Sequence, residues 1–150
     1  MQIRQALPGE LGFINRLIQQ SKQSWGYSDA QMALWREALT VDQEYLHTRE
    51  ALVVVDEGVI RGFLGVDPTS GEIEHLWIDP PSMGHGYGRA LVSRAKDLAR
   101  EVGLARLQVT TDPNARRFYQ RLGFELVARV PSRIRERQLP VMAWTVAAPG

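Results

Sequence analysis

The chain has no cysteine among its 150 residues. That absence excludes disulfides, a cysteine nucleophile and a thiolate metal site, and it agrees with a cytoplasmic setting. There is little charge of one sign: 18 Lys and Arg against 17 Asp and Glu leave a net +1. No global field therefore favours nucleic acid or a membrane surface as a partner. No apolar run is long enough to span a bilayer, and the opening Met1-Gln2-Ile3-Arg4-Gln5 has no apolar signal core. Histidine is scarce, and positions 47, 75 and 85 show no metal-ligand spacing, so no metal is expected. Repeats, low-complexity tracts and linkers are absent too. What remains is ordinary globular composition, 44% apolar and 23% charged, in a length that suits one domain with a sizeable core.

Periodicity and punctuation set out the elements. Ile3 to Gln5 reads as a short strand, and Leu11, Ile14, Leu17 and Ile18 recur at helical spacing. Ser28 followed by Gln31 has the form of a capping box for a second helix carrying Met32, Trp35 and Leu39. Ala51 to Val55 and Ile60 to Val66 form a predicted hairpin around Asp56-Glu57-Gly58. Ile73 to Ile78 is a further strand, stopped by Asp79-Pro80-Pro81. Ala90 to Val102 reads as a helix with Leu91, Ala95, Leu98 and Val102 inward, ended by Gly103. Leu104 to Thr110 is a strand, and Asp112-Pro113 opens a helix with Ala115, Phe118 and Leu122 on its stripe. Phe124 to Val130 and Leu139 to Val146 close the chain as strands. A meander of strands followed by alternation with helices predicts an α/β (α+β) fold with a mixed sheet.

The most informative stretch is Met83-Gly84-His85-Gly86-Tyr87-Gly88-Arg89, set between a strand and a helix. Glycines at 84, 86 and 88 allow positive φ and close approach of a ligand to the backbone. The amides that open the helix have no partners within it, and the helix dipole adds positive potential there. Together they suit a pyrophosphate. A dinucleotide fingerprint would need glycine where Arg89 stands, and no Gly-Lys-Ser/Thr run exists for a triphosphate loop.

The pattern Gly-x-Gly-x-Gly-Arg-Ala-Leu resembles the acyl-CoA loop of the GNAT acyltransferase superfamily, with Met83 where a polar residue is usual. A second motif, Asp112-Pro113-Asn114-Ala115-Arg116-Arg117-Phe118-Tyr119 through Gly123-Phe124, follows in that family's order and separation. The resemblance implies one domain: acceptor-side helices over 1–49 and an acyl-CoA core over 50–147. It implies a mixed, mostly antiparallel twisted sheet, splayed between strands 4 and 5, with acetyl-CoA as co-substrate in the gap. Pantetheine would meet the backbone of Leu76, Trp77 and Ile78. The pyrophosphate would meet amides of Gly84, His85, Gly86, Tyr87, Gly88 and Arg89. Asp112 and Asn114 are candidates for cofactor contact as well as for helix capping, and Phe118 is shared between the core stripe and the cofactor site.

Acyl transfer to an amine needs a base for the amine, donors for the developing oxyanion and an acid for the thiolate. Tyr119 matches the family's acid position; a phenol titrates at about 10 and a thiol at about 8.5, so the transfer must occur at short range. Strand alternation puts Glu72 and Glu74 on one face as candidate bases, with His75 on the other. The acceptor would be held near Trp25 and Tyr27 and by a cluster of Arg129, Arg133, Arg135 and Arg137, which could take a carboxylate or phosphate. The expected activity is acetyl transfer to a primary amine of a small molecule in a ternary complex. The alternatives are a peptide or protein acceptor, or a non-catalytic acyl-CoA-binding module; a homodimer is compatible with each.

Overall fold

A computed structural model describes residues 1–134 and 137–146. Seven strands form one sheet: β1 (Gln2–Gln5), β2 (Glu50–Asp56), β3 (Val59–Val66), β4 (Glu72–Ile78), β5 (Arg106–Thr110), β6 (Glu125–Pro131) and β7 (Gln138–Thr145). Their order is β1-β2-β3-β4-β5-β7-β6. Five α-helices accompany them: α1 (Leu11–Gln23), α2 (Asp29–Leu39), α3 (Gln43–Thr48), α4 (Tyr87–Val102) and α5 (Arg116–Arg121). Among the described residues only β4 and β5 run parallel, because α4 carries the chain across between them.

β2 reads as a continuous apolar run because helices cover both faces of the sheet. Leu52 and Val54 join Leu64, Leu91, Val92 and Ala95 in the core under α4, whereas Ala51 and Val53 join Ile14, Ile18, Met32 and Phe63 under α1 and α2. The Ser28–Gln31 capping box forms as expected, the Ser28 side chain accepting from the Gln31 amide. α3 is an element that the sequence reading missed. Its start is fixed by Asp42, whose carboxylate accepts from the Tyr45 amide at 2.8 Å.

α4 begins at Tyr87, three residues earlier than Ala90, so its buried stripe is Gly88, Leu91, Val92, Ala95 and Ala99. Leu98 is half-buried and Val102 is 51% exposed, which corrects the expected stripe. The helix ends at Gly103, with φ +77, as the sequence indicates.

The feature that positions the site is the parting of β4 from β5. They pair at only Glu72↔Gln108 and Ile73↔Val109, while β4 stays paired with β3 as far as Ile78. Beyond Ile73 the β5-facing edge of β4 is open. This is the expected splay, and it divides the sheet into a four-stranded and a three-stranded part.

Candidate active site

A cavity of about 610 Å³ fills the splay. One end lies against the glycine loop, the other between α1, α2 and the start of β7.

At the first end, Gly86 adopts φ +82 and sits at the N-cap of α4. The first closing bond of the helix runs from the Ala90 amide to the Gly86 carbonyl at 3.1 Å. The amides of Tyr87, Gly88 and Arg89 come before it and have no acceptor inside the helix. A β-carbon at Gly84 or Gly86 would meet nothing within 4 Å, so the space beside the loop is open. Gly88 differs. It is helical and buried, and a β-carbon there would lie 3.1 Å from Phe118. Its glycine serves close packing of α4 on Phe118, not positive φ, which corrects the reading of three equivalent glycines.

The side chains of the loop turn elsewhere. The Tyr87 hydroxyl donates to Asp56 Oδ2 at 2.7 Å, and His85 Nδ1 lies 3.0 Å from the Ser82 carbonyl. Tyr87 lines the cavity, whereas His85 is not among its lining residues. Arg89 and Asn114 both border the cavity.

Midway, Tyr119 and Phe118 exchange the roles that periodicity assigns. The Tyr119 ring is in the core, 3% exposed, with edge contacts to Phe118 and Phe124 at 5.1 and 5.3 Å. Its hydroxyl has no protein partner among the described residues and Tyr119 lines the cavity. Burial pushes its pKa well above the usual phenol value, so the hydroxyl stays protonated. Phe118 is half-buried and borders the cavity.

Glu72 and Glu74 both lie on the face of β4 away from the core that takes Ile73, but His75 does not take the opposite face as expected. Register runs Gly65↔His75 and then Val66↔Ile73, so Glu74 is the extra residue of a β-bulge. The bulge interrupts alternation and brings Glu74 and His75 to one flank, that of α3. Glu74 Oε1 accepts from the Tyr45 hydroxyl at 2.8 Å and from Arg49 Nε at 2.9 Å. The His75 ring stands edge-on to Tyr45 at 5.3 Å. His75 therefore does not point away from Glu74. Its Nδ1 accepts from the Trp77 indole at 3.0 Å, which leaves the ring proton on Nε2. Burial lowers its pKa to about 4. A neutral ring with Nδ1 engaged and Nε2 protonated has no lone pair to offer an amine. Glu72 sits at the closed end of the splay, 3.4 Å from Gln108 Nε2, and its carboxyl pKa is pushed up by burial. Among the described residues that line the cavity, Glu74 is present and Glu72 is not.

At the second end lies a network that the sequence did not reveal. Asp112 Oδ1 caps the Asn114 amide at 2.9 Å and takes the Asn114 side chain at 2.7 Å. Its Oδ2 accepts from Lys22 Nζ at 3.2 Å and from the Tyr27 hydroxyl. Arg137 Nη1 donates to that hydroxyl at 2.5 Å. Burial opposes ionisation of Asp112, but the donors outweigh it and hold the carboxylate below its ordinary range. Lys22 is 8% exposed; burial lowers its pKa against the pull of Asp112. Its ammonium lies 4.3 Å from the Trp35 ring and 4.8 Å from Tyr27. The available signal was Lys22 itself, a charged residue on the inward i, i+4 stripe of Ile14 and Ile18.

Trp25 lines this end, while Tyr27 contributes through the network. Of the four arginines expected at the acceptor, Arg137 alone lines the cavity among the described residues. Arg129 is exposed on the edge strand β6, Arg133 donates to the Leu34 carbonyl, and Arg135 lies outside the described residues. Among the described residues no group of His, Asp and Glu could hold a metal, and no helix is long and apolar enough to cross a membrane.

Comparison with known proteins bears on this geometry. Residues 14–124 match the family described as Acetyltransferase (GNAT) family. Over 65 residues the chain is 40% identical to mycothiol acetyltransferase of Beutenbergia cavernae, covering 41% of this chain and 22% of that protein. Over 61 residues it is 43% identical to blasticidin-S acetyltransferase of Streptomyces morookaense, covering 39% of this chain and 45% of that protein. The chain thus spans less than half the length of these curated relatives. The PaiA N-acetyltransferase of Thermoplasma acidophilum, solved in complex with coenzyme A, matches with a TM-score of 0.81 at 15% identity, over 96% of this chain and 98% of that one. At that identity the likeness speaks for the fold alone.

Proposed function

Because the chain belongs to the acetyltransferase (GNAT) family, we propose that it moves an acetyl group from acetyl-CoA to a primary amine of a small molecule, directly, in a ternary complex. The observation that carries this reading is one cavity with three unused groups facing it: free helix-terminal amides, an open β4 edge and the Tyr119 hydroxyl. The amides at 87–89 suit a pyrophosphate. The β4 edge at Leu76–Ile78 suits an extended, amide-bearing arm such as pantetheine. The thioester supplies an electrophilic carbon and a thiolate leaving group.

In the transfer, a C–N bond forms and the C–S bond breaks; the nitrogen loses a proton and the sulfur gains one. Tyr119 donates to the sulfur. Glu74, the β4 carboxylate that lines the cavity, takes the amine's proton through water. With no cysteine in the chain, a thioester on the enzyme is excluded, in keeping with direct transfer. Asp112 and Asn114 act chiefly on each other and on Lys22, so their part in cofactor binding is to shape the wall.

The test is ligand-dependent stability. Acetyl-CoA at 100 times its Kd would add about 2.7 kcal/mol, or roughly 5–10 °C in Tm for a domain of this size. NAD or ATP should add much less, and equal stabilisation by NAD would sink the assignment.

The two glycines should separate by mechanism. Gly86→Val puts a β-branched residue at φ +82 and should weaken CoA binding by about 1–3 kcal/mol through distortion of the amide cradle. Gly88→Val should act first on stability, through the clash with Phe118. Calorimetric titration beside thermal melts checks this; normal CoA affinity in a folded Gly86→Val protein would remove the loop from the site.

For the base, Glu74→Gln should lower the rate at neutral pH by about 10²-fold, the lower range of general base catalysis. The defect should shrink as pH rises and more acceptor amine is already neutral. Glu72→Gln should leave the pH–rate profile unchanged. If the Glu74→Gln profile overlays the parent's, water alone carries the proton.

A further inference from the structure

Resting on the acyl-transfer reading, we infer that the acceptor is a small primary amine that also carries a carboxylate, an apolar amino acid in chemical class, and that Arg137 recognises its carboxylate. The argument begins with the charges on the cavity wall. Asp112 is fully engaged, one oxygen on Asn114 and the other on Lys22 and Tyr27. Glu74 is paired with Arg49. Lys22 is paired with Asp112 and stacked on Trp35 and Tyr27. The cation left over at the acceptor end is Arg137. It donates Nη1 to Tyr27 and Nε to Ser132 Oγ, and its Nη2 has no protein acceptor among the described residues. Among those residues no carboxylate lies within ion-pair distance of it, although it lines the cavity.

Two consequences follow. A carboxylate on the acceptor finds a guanidinium already oriented by two hydrogen bonds, so little side-chain freedom is lost on binding. A second cationic group on the acceptor finds the opposite. The aromatic surface that would suit an ammonium is occupied by the Lys22 ammonium, and each carboxylate nearby already has a cation. The remaining wall at this end, Trp25, Trp35, Ala38, Leu39 and Leu139, is apolar and suits a hydrocarbon or aromatic side chain.

The experiment measures thiol release from acetyl-CoA with leucine, leucinamide, isoamylamine, spermidine and a leucine-initiated tripeptide. Leucine should exceed leucinamide and isoamylamine by roughly 10–150-fold in kcat/KM, the range of one charge-assisted hydrogen bond, with spermidine weakest. In Arg137→Gln the ratio of leucine to leucinamide should collapse toward unity, while acetyl-CoA still raises Tm. Preference for leucinamide, spermidine or the peptide would overturn the inference and leave the acyl-transfer reading standing. So would acetyl-CoA binding without turnover of any amine in the panel, or an Arg137→Gln protein that keeps the full preference. Absence of both acetyl-CoA stabilisation and thiol release would overturn the two together.

Discussion

Replacing Tyr119 with Phe should slow turnover by roughly 10²–10⁴-fold, the range of general acid catalysis, while stability and acetyl-CoA affinity stay near the parent's. The separation rests on how the residue is held. Its ring packs against Phe118 and Phe124 in the core, and Phe preserves those contacts. Its hydroxyl has no protein partner among the described residues, so removing it strands no buried group. Burial disfavours the phenolate, so the hydroxyl holds its proton at neutral pH until a sulfur at short range takes it. The measurement is single-turnover rate beside thermal melting. Full activity in a folded Tyr119→Phe protein would assign the proton to water. A loss of stability matching the loss of rate would make the residue a packing element only.

The largest effect on stability should come from Asp112. Side chains of Asp112 and Lys22 are 9% and 10% exposed, so the pair is screened little. Asp112→Ala leaves the ammonium buried beside Arg137 with no carboxylate, which should cost about 3–5 kcal/mol, or on the order of 10 °C in Tm. The pH dependence has a defined sign. The folded-state pKa of Asp112 is depressed, so its contribution is present above the unfolded value of about 3.9 and is lost as pH falls below it. Lys22 is a cation whose folded-state pKa is also depressed, so its burial costs stability at neutral pH, a cost relieved as pH climbs toward about 10.4. Asp112→Ala should therefore be weakest relative to parent at neutral pH and regain ground in alkali. Adding Lys22→Met to Asp112→Ala should restore much of the loss. Additive losses in the double variant would show that the pair is not coupled.

Much of this arrangement was legible in the chain. Glycine spacing before a helix locates the free amides at the start of α4, because helix-terminal amides are free wherever a helix begins. The Asp112-Pro113 start and the Tyr119 position follow from capping rules and motif order. The misreadings have physical causes. Period-2 reasoning fails at His75, since a bulge at Glu74 adds a residue to one strand and nothing in Glu-Ile-Glu-His marks it. α3 is too short to show periodicity, yet it delivers Tyr45 and Arg49 to Glu74. The Lys22–Asp112 pair joins residues ninety apart in the chain. Pairing at that separation is a product of tertiary packing, and only the misplaced charge on the α1 stripe hints at it.

The two-residue contact between β4 and β5 has a mechanical consequence. Strands β1–β4 form one leaf and β5–β7 another, and their shared seam is short. α4 packs against β2, β3, β4 and β5, and so braces both leaves from one side. The separation of the leaves is therefore set at Ile73 and Val109 and by the side chains of α4 that pack across both. Ile73 and Val109 also line the cavity, so a side chain changed at this seam alters the wall and the width of the gap together.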